Sequence, residues 1–176
     1  MYALGSQMKS LPIISLQTGE AVGWTRRAVF NLADLEIQAF ECITAGNKQP
    51  MILMNRDIRQ LASDCVIVDN EDELTDPKDI VRLQAILRAR FNPIGKPVIS
   101  DTGRKLGAVE DFMLNLETAR IQKLHVRKSI LQAWLGTSLI IDRTQIIDIT
   151  PQQITVREAT LKSRLLQPEP VPEIPS

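Results

Sequence analysis

The sequence predicts a mainly β fold: two small antiparallel β-barrels in tandem, joined by an α-helix. Three observations predict it. First, Lys96-Pro97-Val98-Ile99-Ser100-Asp101-Thr102-Gly103-Arg104-Lys105-Leu106-Gly107 nearly copies Leu11-Pro12-Ile13-Ile14-Ser15-Leu16-Gln17-Thr18-Gly19-Glu20-Ala21-Val22-Gly23, with one extra residue before the first glycine of the earlier copy. The correspondence continues: Asn31-Leu32 answers Asn115-Leu116, and Ile37-Gln38 answers Ile121-Gln122. Farther on, Ile58, Leu61, Val66 and Val68 answer Ile146, Ile149, Ile154 and Val156. A pattern recurring at this spacing is one small module built twice. Second, short apolar runs alternate with turn residues every few positions, the signature of short antiparallel strands. Third, aromatics make up only 4% of the chain against 44% hydrophobic residues, so the core is aliphatic and β-branched, which suits strands.

Taken in order, residues 1–10 carry no periodic pattern and read as a loose lead-in. Residues 11–69 are the first barrel. Pro12 opens its first strand, where no ladder donor is needed. Gly19 supplies the positive φ of a tight turn. Ala28, Phe30 and Leu32 alternate as a half-buried strand does. A turn follows around Ala33-Asp34. The spacing of Ile37, Phe40 and Cys42 implies a bulge near Gln38-Ala39, repeated by Ile121, Leu124 and Val126. Residues 44–50 form a loop, 51–54 a strand, 58–61 a short strand or helical turn, and 65–68 the closing strand.

Residues 70–95 differ in kind. An acidic loop leads to Asp76-Pro77, an N-cap acceptor followed by proline at the first helical position. The helix is expected over 77–90, ending before Asn92-Pro93. Ile80, Leu83, Leu87 and Phe91 form its apolar stripe, which should pack between the barrels or against a second copy of the chain. Residues 96–157 are the second barrel. The tail, 158–176, is rich in proline at its end and is expected to be disordered.

The chain has no formal net charge, so it lacks a whole-molecule footprint for nucleic acid. The second copy is mildly basic, with nine basic against six acidic side chains in 96–157. No secretory signal pattern and no membrane-length apolar run is visible, which makes the cytoplasm the expected compartment. Two cysteines make neither a disulfide framework nor a metal cluster, and in a reducing compartment Cys42 and Cys65 are expected to stay free. His125, the single histidine, sits on a strand where a solvent-facing position is expected. With no partner for it and no phosphate-cradling glycine motif, the sequence offers no catalytic, metal or cofactor site, and an enzyme is not expected.

The second copy resembles the PRC-barrel family. The resemblance is carried by Asp101-Thr102-Gly103-Arg104-Lys105-Leu106-Gly107-Ala108-Val109-Glu110-Asp111, the Ile-rich strand 121–126, Leu139-Ile140-Ile141, Ile146-Ile147-Asp148-Ile149 and Ile154-Thr155-Val156. The first copy is a weaker match, with Glu20-Ala21 in place of Arg104-Lys105. This is similar to the six-stranded barrel of the photosynthetic reaction-centre H subunit and of the factor that matures the small ribosomal subunit. Those residues make a barrel and carry no active site. What the resemblance implies is a docking module: a non-catalytic adaptor or scaffold binding another protein, two linked sites gaining avidity. The alternative is an RNA- or ribosome-associated factor acting through the basic second barrel. The contact residues expected on these readings are Trp24 and Trp134, with Arg104, Lys105, Arg120, Lys123, Arg127 and Lys128. A homodimer through the linker helix would use Ile80, Leu83, Leu87 and Phe91.

Overall fold

A computed structural model describes residues 1–44, 46, 49–128 and 138–157. Among these, the chain forms fourteen strands and one α-helix. The strands are β1 (Tyr2–Leu4), β2 (Pro12–Ser15), β3 (Ala21–Asn31), β4 (Glu36–Thr44), β5 (Met51–Met54), β6 (Ile58–Leu61), β7 (Val66–Val68) and β8 (Leu74–Thr75). After α1 (Gln84–Ala89) come β9 (Pro97–Ser100), β10 (Lys105–Asn115), β11 (Arg120–Lys128), β12 (Ser138–Asp142), β13 (Ile146–Ile149) and β14 (Ile154–Val156). The fold is mainly β, as the alternating apolar pattern requires. The strands belong to one curled sheet, ordered β13-β14-β9-β10-β11-β4-β3-β2-β7-β6, with β5 on β4 and β12 on β11.

The two halves have corresponding ladders. In the first half β2 runs parallel to β7, pairing Ile13 with Val66 and Ser15 with Val68. In the second half β9 runs parallel to β14, pairing Val98 with Ile154 and Ser100 with Val156. The first turn also shows the one-residue difference: Ser15 N–H donates to Glu20 O, whereas Ser100 N–H donates to Arg104 O. The expected bulges are present, because the register skips Gln38 opposite Val29-Phe30 and Gln122 opposite Met113-Leu114. A second matched pair of bulges skips Arg26 and Glu110. The region 58–61, open in the sequence between helix and strand, is strand β6.

The halves are not independent. One continuous core contains Ile13, Phe30, Phe40 and Val66 of the first half together with Val98, Phe112, Leu124 and Ile154 of the second. Phe30 and Phe112 meet edge to face at 5.5 Å between ring centres, the geometry that aromatic quadrupoles favour. Each half is of a size that buries too little surface to be secure by itself, and a shared core removes that weakness.

Residues 1–10 correct the reading of a loose lead-in. β1 pairs with β10 of the second half, Tyr2 opposite Asn115 and Leu4 opposite Met113. Ala3 and Met8 enter the core. Gly5 lies against the Phe112 ring so closely that an added Cβ would stand 2.3 Å from it. A strand of only three residues, Tyr2-Ala3-Leu4, is too short to show a periodicity, so the sequence hid this strap.

The linker is the second correction. The expected helix over 77–90 is interrupted: Pro77–Asp79 and Val81–Leu83 are 3-10 turns, and α-helix covers only Gln84–Ala89. Asp76 does cap the start, accepting from Lys78 N–H. Ile80, at φ −106° and ψ 75°, breaks the run, and Arg90 ends α1 in a left-handed conformation. Nor does the linker sit between the halves. Leu83 packs on Val29, Ala39 and Ile52, the outer face of the first half, flanked by Ile80, Ile86 and Leu87. Phe91 is not part of that group but enters the main core. Because this satellite cluster is small, Leu83→Ala is expected to cost about 2 kcal/mol, the low end for a buried leucine, measured by urea denaturation.

Cys42 and Cys65 are both free. Cys42 is fully buried, like its counterpart Val126, and burial pushes its thiol up to about 12. Since the thiolate is the reactive form, a thiol reagent at pH 8 should modify Cys65 alone in the native protein and both cysteines in denaturant. Fast reaction of two thiols in the native state would contradict this packing. Trp134 and the tail expected to be disordered, 158–176, lie outside the described residues.

Candidate functional site

Two matched turns build the junction where the halves meet, and a concave site lies beside it. In each turn, an asparagine side chain accepts a backbone N–H two residues on: Ala33 N–H to Asn31 Oδ1, and Glu117 N–H to Asn115 Oδ1. Each then has a residue at positive φ, Leu35 at 51° and Ala119 at 52°. These conformations deliver a reciprocal pair of hydrogen bonds across the junction. Ile37 N–H donates to Ala119 O at 2.8 Å, and Ile121 N–H donates to Leu35 O at 3.1 Å. The counterpart residues Glu36 and Arg120 thereby face one another. Arg120 binds Glu36 at 2.7 Å and lies 3.7 Å from Asp34, and the hydrogen bond it donates to Glu36 raises the guanidinium pKa further. Identical charges at this self-facing position would repel, so the Glu/Arg difference between the copies favours this junction.

Beside the junction is a groove of about 400 Å³ between the first half's turn (Leu32, Ala33, Asp34, Leu35) and Arg143 with strand β13. Arg143 donates to Asp34 O and ties its rim. Ile147 stands in the groove wall at 49% exposure, with Asp148 next to it. The sequence reading missed this site. The signal was available in the repeat, because Ile147 occupies the place of Arg59 in the first copy, an apolar residue in a solvent slot.

The basic residues singled out from the sequence do not form one patch. Arg104 and Lys105 are exposed at the start of β10. Arg127 and Lys128 are near them, paired in register with Ala108 and Gly107. Arg120 sits at the other end of β11, about 23 Å away at roughly 3.3 Å per residue, and is held by carboxylates. Arg127 has Glu110 at 3.8 Å. Lys123 lies mid-strand, opposite Asp142 and Met113. His125 is on the same outer face, opposite Ile140 and Asp111. Trp24 is 38% exposed, at the end of β3 opposite the junction, with Ile43 and Pro12 as its neighbours in register. It is therefore separate from both the groove and the basic residues. Of the helix residues, Ile80, Leu83 and Leu87 face the first half, so Val81, 79% exposed, is the large apolar side chain the linker presents outward.

This strand order, a long hairpin with a parallel return of the last strand onto the first, accompanies a family match. Residues 88–161 match the PRC-barrel domain. The PRC-barrel match spans the second half from the end of α1 and leaves residues 11–69 outside it. No curated protein matches the chain. Among the described residues no helix is long and apolar enough to cross a membrane. The residues that make the PRC-barrel segment, Gly103, Gly107 and the strand apolars, are structural: Gly103 has φ 83° in the turn and Gly107 φ 151° beneath Arg127.

Proposed function

We propose that this chain is a non-catalytic adaptor that binds another protein, and that it consists of two PRC-type units in tandem, fused through a shared core. The tandem reading is supported by the matched ladders, the matched bulges and the paired left-handed residues Leu35 and Ala119. The adaptor reading is carried by the junction groove. It is lined from both halves, has an aliphatic floor in Leu32, Ile146 and Ile149, and displays Ile147 beside Asp148. The exposed lining of this groove is more polar than apolar, with Asp34, Arg143 and Asp148 set among the aliphatic side chains. The chemistry that fits it is a partner segment with an aliphatic anchor and a basic residue.

The runner-up is an RNA- or ribosome-associated factor in the cytoplasm, using Arg104, Lys105 and Lys128 at the far end of the second half. Its support is smaller, since Arg120 and Arg127 are already engaged by carboxylates. One experiment separates the two. The full chain and an Ile147→Glu variant are used as baits in native extract at low and high salt. Proteins retained at high salt by the wild type and lost by the variant support the adaptor. RNA or ribosomal proteins that bind both baits and wash off with salt support the runner-up, because phosphate contacts release counterions.

A further inference from the structure

The correspondence between the halves places equivalent residues at two opposite ends of the molecule. β4 and β11 pair antiparallel at Glu36 and Arg120 and leave that point in opposite directions. Thr44 at the end of β4 and Lys128 at the end of β11 therefore stand at opposite ends. They match each other, since Thr44 is paired with Gly23 and Lys128 with Gly107. The turns beside them, 18–22 and 102–106, match as well. Their charge does not: Arg104, Lys105 and Lys128 stand where the first half has Glu20, Ala21 and Thr44.

At the first end the turn is one wall of a cleft of about 610 Å³, and the start of the linker is the other. Val22, Met51 and Leu74 give the cleft an aliphatic floor, and the exposed residues Glu20, Glu71 and Asp72 stand on its rim. Among the described residues none of these three carboxylates has a basic partner. At the second end, residues 101–105 are all exposed, and a Cβ added to Gly103 would meet nothing within 4 Å, so the turn projects into solvent. Arg104 and Lys105 are at its tip, and Arg127 and Lys128 lie beside it on β11. The acidic groups near them are Asp101 and Glu110, the latter 3.8 Å from Arg127.

We propose that the cleft of one copy of this chain receives the basic turn, 101–105, of a second copy, so that copies join end to end. The occupant is chosen by charge: a cleft rimmed by carboxylates faces a projecting turn tipped by two cations, and complementary potentials steer such surfaces together. The aliphatic stems of Arg104 and Lys105 cover Val22, Met51 and Leu74 while their charged heads meet Glu20, Glu71 and Asp72. The zero net charge of the chain leaves no whole-molecule repulsion to oppose the contact. Because the giving and receiving surfaces lie at opposite ends, the contact is heterologous. It is not completed by two copies, and assembly continues as an open chain or closes as a ring. The inference does not depend on the adaptor reading, which uses the junction groove.

The test is sedimentation of the full chain over a range of concentrations at low and high salt, with two charge reversals. Lys105→Glu alters the turn and leaves the cleft intact, whereas Glu71→Lys alters the cleft and leaves the turn intact. A variant whose urea midpoint falls is replaced by Arg104→Glu or Asp72→Lys. The expected result is a wild-type mass that rises with concentration past that of a dimer at low salt and returns to the monomer at high salt, where exposed charges are screened. Each variant alone should associate at least tenfold more weakly. An equimolar mixture of the two should associate again, because the turn of the Glu71→Lys copy fits the cleft of the Lys105→Glu copy. A wild type of constant mass at every concentration overturns the proposal. So does a mixture that stays as dissociated as its parts, or a dimer that neither reversal weakens. Association that ribonuclease abolishes also overturns it, and would assign the basic turn to RNA.

Discussion

Replacing Gly107 by alanine is expected to destabilise the protein by about 4 kcal/mol, the combined scale of a strained backbone conformation and an overpacked contact. Gly107 has φ 151°, and a Cβ there would lie 2.0 Å from the carbonyl oxygen of Arg127 and 2.8 Å from its carbon. Both obstacles are backbone atoms of the paired strand β11, so no side chain can swing aside. The only relief is separation of β10 from β11 where their ladder begins. Its counterpart Gly23 is a natural control: a Cβ there meets Ile43 O at 2.5 Å, without the positive φ. Gly23→Ala should therefore cost about 2 kcal/mol, the overpacking part alone. Urea midpoints at unchanged slope measure both. A Gly107→Ala loss below that of Gly23→Ala would contradict the account.

Truncating Phe112 to alanine should cost about 4 kcal/mol, within the range for buried phenylalanines. The ring is 3% exposed. It touches Phe30 of the first half and Gly5 of the N-terminal strap, so it belongs to three parts of the chain at once. Its loss leaves a cavity that neither half can collapse into without the other. The loss should appear as one lowered transition rather than as a second transition split from the first. A low-temperature step confined to the second half would mean that the halves hold separate cores.

Much of this fold was legible because corresponding segments of the sequence make weak signals testable against each other. A spacing such as Ile37, Phe40, Cys42 reads as noise once and as a bulge when Ile121, Leu124 and Val126 repeat it. Cys42 could be assigned to the core because its counterpart is Val126. Local patterns did not show what the repeats do to one another. The fusion through Ile37, Ala119, Ile121 and Leu35 depends on two non-glycine residues at positive φ, and Leu35 and Ala119 carry no side-chain mark of that conformation. The strap at Tyr2–Leu4 has its ladder partners more than a hundred positions away, and Gly5, which lies against Phe112, looks like part of a featureless lead-in. The linker was misread for a related reason. Its apolar spacing suits a helix, but Ile80 breaks the run, and the face it covers belongs to the preceding half.

The candidate contacts were less legible than the fold. Charge counts found the basic residues of the second half but not their partners: Glu36 and Asp34 reach Arg120 from the other half, a pairing no local window contains. The groove residues Arg143, Ile147 and Asp148 are ordinary in their own strand and become a site only when the first half's turn is laid against them.

The most direct test of the central claim, that two copies of one unit share one core and fold as one body, is native-state hydrogen exchange at the two matched parallel ladders. The amides to follow are those of Ile13–Ser15 with Val66–Val68, and of Val98–Ser100 with Ile154–Val156. If the core is shared, the slowest amides of both ladders open with the same free energy, and Phe112→Ala lowers both by the same amount. If Phe112→Ala accelerates only the Val98–Ile154 ladder and leaves the Ile13–Val66 ladder protected, the halves are separate bodies and the claim fails.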